Sequence, residues 1–338
     1  MLKNKKPLVV IITLFIVSFV LIPTFLVLPY SSASSSSSKV ELVKTLKGMK
    51  KKVVHESAPT SNLSIPVFRS TEKKIEKVKM EEYVKGVVAS EMPAQFEMEA
   101  LKAQALSART YVAKALERHT TSLPKGALVT DSTSDQVYKN EQELKALWKG
   151  TYKEKMKRIT EAVQATEGKI VTYDGKPITA SFFSTSNGYT EDSADYWGDK
   201  LPYLQSVSSP WDRSAEKFTA KVDLPLKEVE RKLGVSLREE GAVGTITKRT
   251  KGKRIAKIVI DHHEFSGKEI REKLALRSTD FTLMKRGDIV TVITKGFGHG
   301  VGMSQYGANG MAADGKSYKE IVKHYYKGVT IATYKPNE

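Results

Sequence analysis

Residues 8 to 28 (LVVIITLFIVSFVLIPTFLVL) run for 21 positions without a charge. At a rise of about 1.5 Å per residue, a helix of this length spans about 30 Å, the thickness of a bilayer's hydrocarbon core. Lys3, Lys5 and Lys6 precede it, and flanking cations stay on the cytoplasmic side of a span. The expected topology is a cytoplasmic stub (1–7), a transmembrane anchor (8–28) and an extracytoplasmic body. Pro23 is tolerable inside a span. A cleaved signal peptide would carry a shorter apolar region, about 7–15 residues, and a small-residue cleavage site. Ser31-Ser32-Ala33-Ser34 offers such a site, but the length of the run favours an uncleaved anchor.

Export narrows the meaning of the charge. Fifty-five Lys and Arg against 38 Asp and Glu leave +17, a balance that seeks nucleic acid, anionic lipid or an anionic wall polymer. Outside the cytoplasm, nucleic acid drops out. The chain has no cysteine, which excludes disulfide scaffolds, thiolate zinc sites and cysteine nucleophiles. Residues 29–60, with SSASSSSS followed by Lys44, Lys47, Lys50, Lys51 and Lys52, read as a flexible basic tether. Residues 61–338 read as the folded body, with an N-terminal lobe over about 61–166 and a C-terminal lobe over about 167–338.

Within that body, Ile65, Val67 and Phe68 alternate as an entering strand does. Tyr83, Val84, Val87 and Val88 share a helical face from Met80 onward. That helix must stop near Glu91, because Pro93 disfavours helical geometry at Met92. A second helix is expected over 97–118, buried along Leu101, Ala105, Ala108, Val112 and Ala115, and a third over 141–166. Asp174-Gly175 and Arg286-Gly287 mark hairpins. Residues 226–233 read as helix and 254–261 as strand. Ser266 with Glu269, and Ser317 with Glu320, match capping boxes. The fold class is α+β: a helical lobe with a helix–turn–helix corner, packed on hairpin-rich mixed β structure.

Glu91 stands at that corner. A carboxyl group held against apolar surface resists ionisation, which suits a general acid for glycosidic cleavage; a surface glutamate at a helix end fits the same position. The run Gly-Phe-Gly-His-Gly-Val-Gly over 296–302 lacks the G-x-G-x-x-G register of a dinucleotide loop, so its glycines signal close backbone approach. His299 inside it suits a structural bond or a substrate contact. His262-His263, in the expected strand, would point to opposite faces, which suits chelation poorly. No G-x-S-x-G elbow frames Ser184 or Ser186. The polar, aromatic loop over 184–210 has the composition of a sugar-binding surface and equally of a core edge. Neither a cofactor nor a metal is expected.

Taken together, VASEMPAQFEMEALKAQALSARTY, TDSTSDQVY, FFSTSNGYTED with YLQSVSSPWD, and GFGHGVGMSQYGANGMA with HYYKGV resemble the stage II sporulation protein D family and its amidase-enhancer relatives. The resemblance covers about residues 61–333. It implies a lytic transglycosylase cleaving peptidoglycan, preferably stem-peptide-free glycan, during engulfment of the forespore. Its catalytic acid would be Glu91, and Lys102 and Arg109 would be basic positions needed for activity or glycan binding. Some clostridial relatives hold zinc through cysteine and histidine, which cannot carry over to a cysteine-free chain. The implied partners are the amidase stage II sporulation protein P and the membrane protein stage II sporulation protein M. Ser184, Asn187, His299 and Gln305 are expected to line the glycan groove. The alternative role is a noncatalytic glycan-binding activator of the amidase.

Overall fold

The computed structural model describes residues 63–117, 123–124 and 126–336, which belong to one compact unit, Ser57–Glu338. The expected anchor (8–28) and the expected tether (29–60) lie outside the described residues. Among the described residues, no helix is long and apolar enough to cross a membrane.

The chain enters as a hairpin of β1 (Ser64–Arg69) and β2 (Lys74–Lys79), paired antiparallel from Ser64↔Lys79 to Arg69↔Lys74. Helix α1 (Met80–Glu91) follows at once and buries Tyr83, Val84, Val87 and Val88. It ends as the proline requires: Met92 is extended, at φ −127° and ψ 137°. Helix α2 (Met98–Leu116) is the centre of the molecule. A single stripe was expected to be buried. Instead Gln104, Ser107, Arg109 and Thr110 are buried with it, because α1, later helices and a strand all pack on α2. Its alanines let those neighbours approach closely, so the helix is enclosed on nearly all sides.

The helix expected over 141–166 is two helices, α3 (Glu141–Trp148) and α4 (Tyr152–Ala165). A 3₁₀ turn, Lys149–Thr151, separates them, with Lys149 at φ 47°. Short β3 (Val129–Thr130) joins β1 in parallel. The Asp174-Gly175 hairpin forms between β4 (Lys169–Tyr173) and β5 (Lys176–Pro177). Beyond it, β6 (Phe182–Phe183) leaves the hairpin and pairs far along the chain instead. The 184–210 stretch is largely irregular but contains a short helix, α5 (Ser193–Trp197).

Two apolar clusters result. The first draws on residues from Ile65 to Val207 and again from Val301 to Tyr334. The second draws only on Val229 to Val292. It is built from β7 (Thr219–Pro225), α6 (Leu226–Leu233), β8 (Gly241–Ala242), β9 (Thr245–Arg249), β10 (Ile255–Ile260), β11 (His263–Ser266), α7 (Gly267–Lys273), β12 (Phe281–Arg286) and β13 (Ile289–Lys295), forming sheets β11-β10-β9 and β7-β13-β12-β8. His262 is not in a strand: Asp261 and His262, at φ 49° and 64°, form the turn between β10 and β11. The chain then returns to the first cluster through β14 (Met303–Ser304), α8 (Gln305–Ala313), α9 (Tyr318–Tyr325) and β15 (Thr330–Thr333). The capping box of Ser317 and Glu320 is present in full.

Candidate active site around Glu91

Glu91 is the last residue of α1 and is half-buried. Its Oε1 accepts the backbone N–H of Val137 at 2.8 Å. Burial raises its pKa above the ordinary carboxylate range, while the Val137 N–H and the Gln305 side chain oppose the rise. The opposing groups are neutral donors, not a cation.

The turn after Glu91 is held from three sides. Arg158 on α4 donates from Nε to Ala94 O (2.9 Å) and from Nη2 to Phe96 O (2.8 Å). Asn309 on α8 accepts the Glu97 N–H at 2.8 Å. Phe96 meets Tyr306 edge-on, with ring centroids 5.0 Å apart. The carboxyl is thus fixed by parts of the chain separated by more than two hundred residues.

Gln305 opens α8 and is 5% exposed. Besides Glu91 it reaches Gln104 of α2, Nε2 to Oε1 at 3.5 Å. Its position depends on β14, which pairs in parallel with β6 (Met303↔Phe182, Ser304↔Phe183). Ser184 therefore sits beside Gln305, and Ser184 O accepts the Tyr306 N–H at 3.0 Å. Of the expected groove residues, Gln305 reaches Glu91, and Ser184 lies next to Gln305.

Under this junction lies Asp212, fully buried. Its Oδ1 accepts Ser186 N–H (3.0 Å) and Ser304 Oγ–H (2.6 Å), and its Oδ2 accepts Ser186 Oγ–H (2.7 Å) and Ser209 Oγ–H (2.6 Å). Burial raises its pKa, and the serines oppose the rise. Through Ser304, the N-cap of α8, this carboxylate fixes the helix start that carries Gln305.

The other expected residues are placed elsewhere. Arg109 is fully buried, and all five of its N–H groups are engaged by Glu81, Thr166 Oγ1 and the carbonyls of Lys169 and Val163. Its partner Glu81 lies ten residues before Glu91, about 15 Å along α1. Arg109 is therefore a structural clamp rather than a groove cation. Lys102 pairs with Glu99 (2.6 Å), whose other oxygen accepts the Tyr318 N–H (2.7 Å), and so ties α2 to α9.

Asn187 donates from Nδ2 to Gly252 O (3.0 Å) and to Asp280 Oδ2 (2.9 Å), joining its loop to the second cluster. His299 accepts the Val301 N–H at Nδ1 (3.0 Å), so its proton is on Nε2, which donates to Phe182 O (3.1 Å). Burial, then Arg271 and Arg254, push its pKa down to about 4, leaving it neutral at physiological pH. Around it stand Phe183, Tyr196 and Trp197, with centroids 5.6, 5.9 and 5.7 Å away. Gly296, Gly298, Gly300 and Gly302 all take positive φ, between 82° and 114°. A Cβ on Gly300 would strike the Arg254 guanidinium, so close approach explains the run.

Residues that pattern reading missed include Asp212, Val137, Gln104 and the buried pair Glu191–Arg254, 3.8 Å apart, in which burial raises Glu191 to about 7 against Arg254 and Thr250. Asp212 and Val137 fall inside segments that carry the family resemblance, SSPWD and TSDQVY. Their types alone mark no role: one contributes through a tertiary network and the other through its backbone.

A mixed α+β body presenting one neutral-donor-held glutamate at a helix corner is the class this site defines. The family model described as "Stage II sporulation protein" matches residues 69–173, which includes the corner. A stage II sporulation protein D of Bacillus amyloliquefaciens is 48% identical over 335 residues, covering 97% of this chain and 96% of that protein. The Bacillus subtilis protein of the same name is 49% identical over 316 residues, 92% of each. An amidase enhancer of Bacillus subtilis is 31% identical over 306 residues, 74% of this chain but 40% of that protein. The chain belongs to the stage II sporulation protein D family.

Proposed function

We propose that the chain is a membrane-anchored lytic transglycosylase that cleaves peptidoglycan glycan strands, preferably free of stem peptides, during forespore engulfment. The observation that carries this reading is Glu91, a half-buried carboxyl with a raised pKa and no cationic partner in its hydrogen bonds. Burial that disfavours the carboxylate keeps the proton on such a group to higher pH than on an ordinary carboxyl, and the carboxylate can take it back, as general acid–base work needs.

In this mechanism the Glu91 carboxyl protonates the glycosidic oxygen as the bond from muramic C1 breaks. The carboxylate then takes the proton of the same sugar's 6-hydroxyl, whose oxygen bonds to C1. The product is a 1,6-anhydro end, and no water is consumed. Ordinary glycosidases need a second carboxylate to attack or to activate water; an internal hydroxyl supplies the nucleophile at high effective concentration. Gln305 and the Val137 N–H orient the carboxyl. Ser184 lies beside Gln305, and Trp197, exposed next to His299, offers a face for a further sugar.

The anchor over 8–28 would keep the body outside the cytoplasm, close to stage II sporulation proteins P and M. A second reading, a noncatalytic glycan-binding activator of the amidase, is favoured by the similarity to an amidase enhancer. Mass spectrometry of peptide-stripped glycan incubated with residues 57–338 separates the two. Anhydro-muramic ends that vanish in Glu91→Gln support the transglycosylase. Reducing ends would mean water attack, and intact glycan would leave the activator role.

A further inference from the structure

The elbow between α3 and α4 sets an exposed apolar side chain among aromatic rings and lysines. Leu147, on the last turn of α3, is 58% exposed, the most of any large apolar side chain among the described residues. Half-buried Trp148 and Tyr152 flank the turn, their ring centroids 6.3 Å apart. Lys155 lies 5.3 Å over the Trp148 ring and Lys145 lies 5.5 Å over the Tyr152 ring. Residues 145–158 hold six Lys and Arg against one acid, Glu154, and Lys149, Lys153 and Lys157 are exposed. Nothing stands within 4 Å of where a Gly150 Cβ would be, so the tip is open.

A lone exposed leucine carries no message. Leucine at a tip, ringed by Trp, Tyr and lysines, matches the layering of a membrane interface: apolar side chain inward, amphipathic rings at headgroup level, ammonium groups toward phosphate. We propose that this elbow is a docking surface for an anionic lipid bilayer, with Leu147 inserted between acyl chains and Lys149 and Lys153 on lipid phosphates. An anionic wall polymer would use the lysines but would leave Leu147 in water, so lipid is the occupant that accounts for both features. Docking also bears on the site. Arg158, on the same helix, clasps the carbonyls of the turn after Glu91, so a bilayer-bound elbow would set how the Glu91 corner faces. The surface is independent of whether the chain cleaves glycan.

The test uses residues 57–338, the compact unit with both apolar clusters. It is sedimented with vesicles of phosphatidylglycerol and phosphatidylcholine, or of phosphatidylcholine alone. Expected are binding to the anionic vesicles and a blue shift of tryptophan emission that Trp148→Phe removes. Leu147→Asp should weaken binding about tenfold or more, and Lys149→Glu and Lys153→Glu about fivefold or more each. All these side chains apart from Trp148 are exposed, so an unchanged circular dichroism spectrum is expected and is checked. No binding to anionic vesicles overturns the proposal. So does binding that depends on the lysines but is unchanged in Leu147→Asp without a Trp148 shift, which would mark a polyanion patch only.

Discussion

Arg109 and Glu81 form a bidentate pair, Nε to Oε1 at 2.9 Å and Nη2 to Oε2 at 2.6 Å. The pair joins the first turn of α1 to the middle of α2, and the remaining guanidinium protons go to Thr166, Lys169 and Val163. Removing one partner of such a pair strands a buried charge, at a cost of about 3–5 kcal/mol. Arg109→Ala should therefore lower the melting temperature sharply. Arg109→Lys should recover only part of it, since one ammonium cannot replace a planar fork. A variant that melts like the parent but binds glycan poorly would return Arg109 to the groove.

Glu91→Gln keeps the shape of the side chain and removes the proton. Turnover on stripped glycan should fall by about 10²–10⁴-fold, with glycan retention in a pull-down little changed. The folded-state pKa of Glu91 is raised, so the folded protein holds this proton to higher pH than the unfolded chain does. Stability falls as pH rises through that interval, and Glu91→Gln should melt no lower than the parent at neutral pH.

Gln305→Leu removes a donor that lowers the pKa of Glu91 while filling a similar volume. The alkaline limb of the pH–rate profile should move to higher pH, and turnover should drop because the carboxyl is less well oriented. A purely structural role for Gln305 would leave that limb where it is.

His299 is depressed to about 4 in the folded state against about 6.5 in an unfolded chain. The unfolded chain binds the extra proton between those values, so the stabilising effect of a neutral His299 is full above pH 6.5 and is lost as pH falls toward 4. Melting temperature followed from pH 7.5 to 4 should decline less steeply in His299→Gln than in the parent. A general base would instead show an activity limb near neutrality that follows His299, which the depressed value argues against.

Asp212→Ala would strand the buried Ser186 N–H and leave the hydroxyls of Ser186, Ser209 and Ser304 with only their weaker or shared partners, at a cost of about 1–3 kcal/mol. Because Ser304 caps α8 through the same network, activity should fall even where the protein remains folded, measured below its lowered melting point.

Elements with a local cause were legible in the chain. Pro93 ended α1, Ser317 and Glu320 capped α9, and Asp174-Gly175 turned the β4–β5 hairpin. The break at Lys149–Thr151 was not legible, because the hydrophobic spacing on either side continues a single helical period. Nor was the burial of Arg109 legible: a basic residue inside a family motif does not show what packs around it.

By itself the sequence determined the α+β class, the glutamate at the proline corner and, through long ordered motifs, the family. Only the tertiary structure decided which polar groups meet that glutamate. The Val137 N–H and Gln305 come from distant segments, with Gln104 bonded to Gln305 behind it, and the place of Gln305 depends on the β6–β14 pairing and on buried Asp212. Local propensity acts over a few residues, whereas a carboxyl's pKa and hydrogen bonds are set by whatever the fold packs against it.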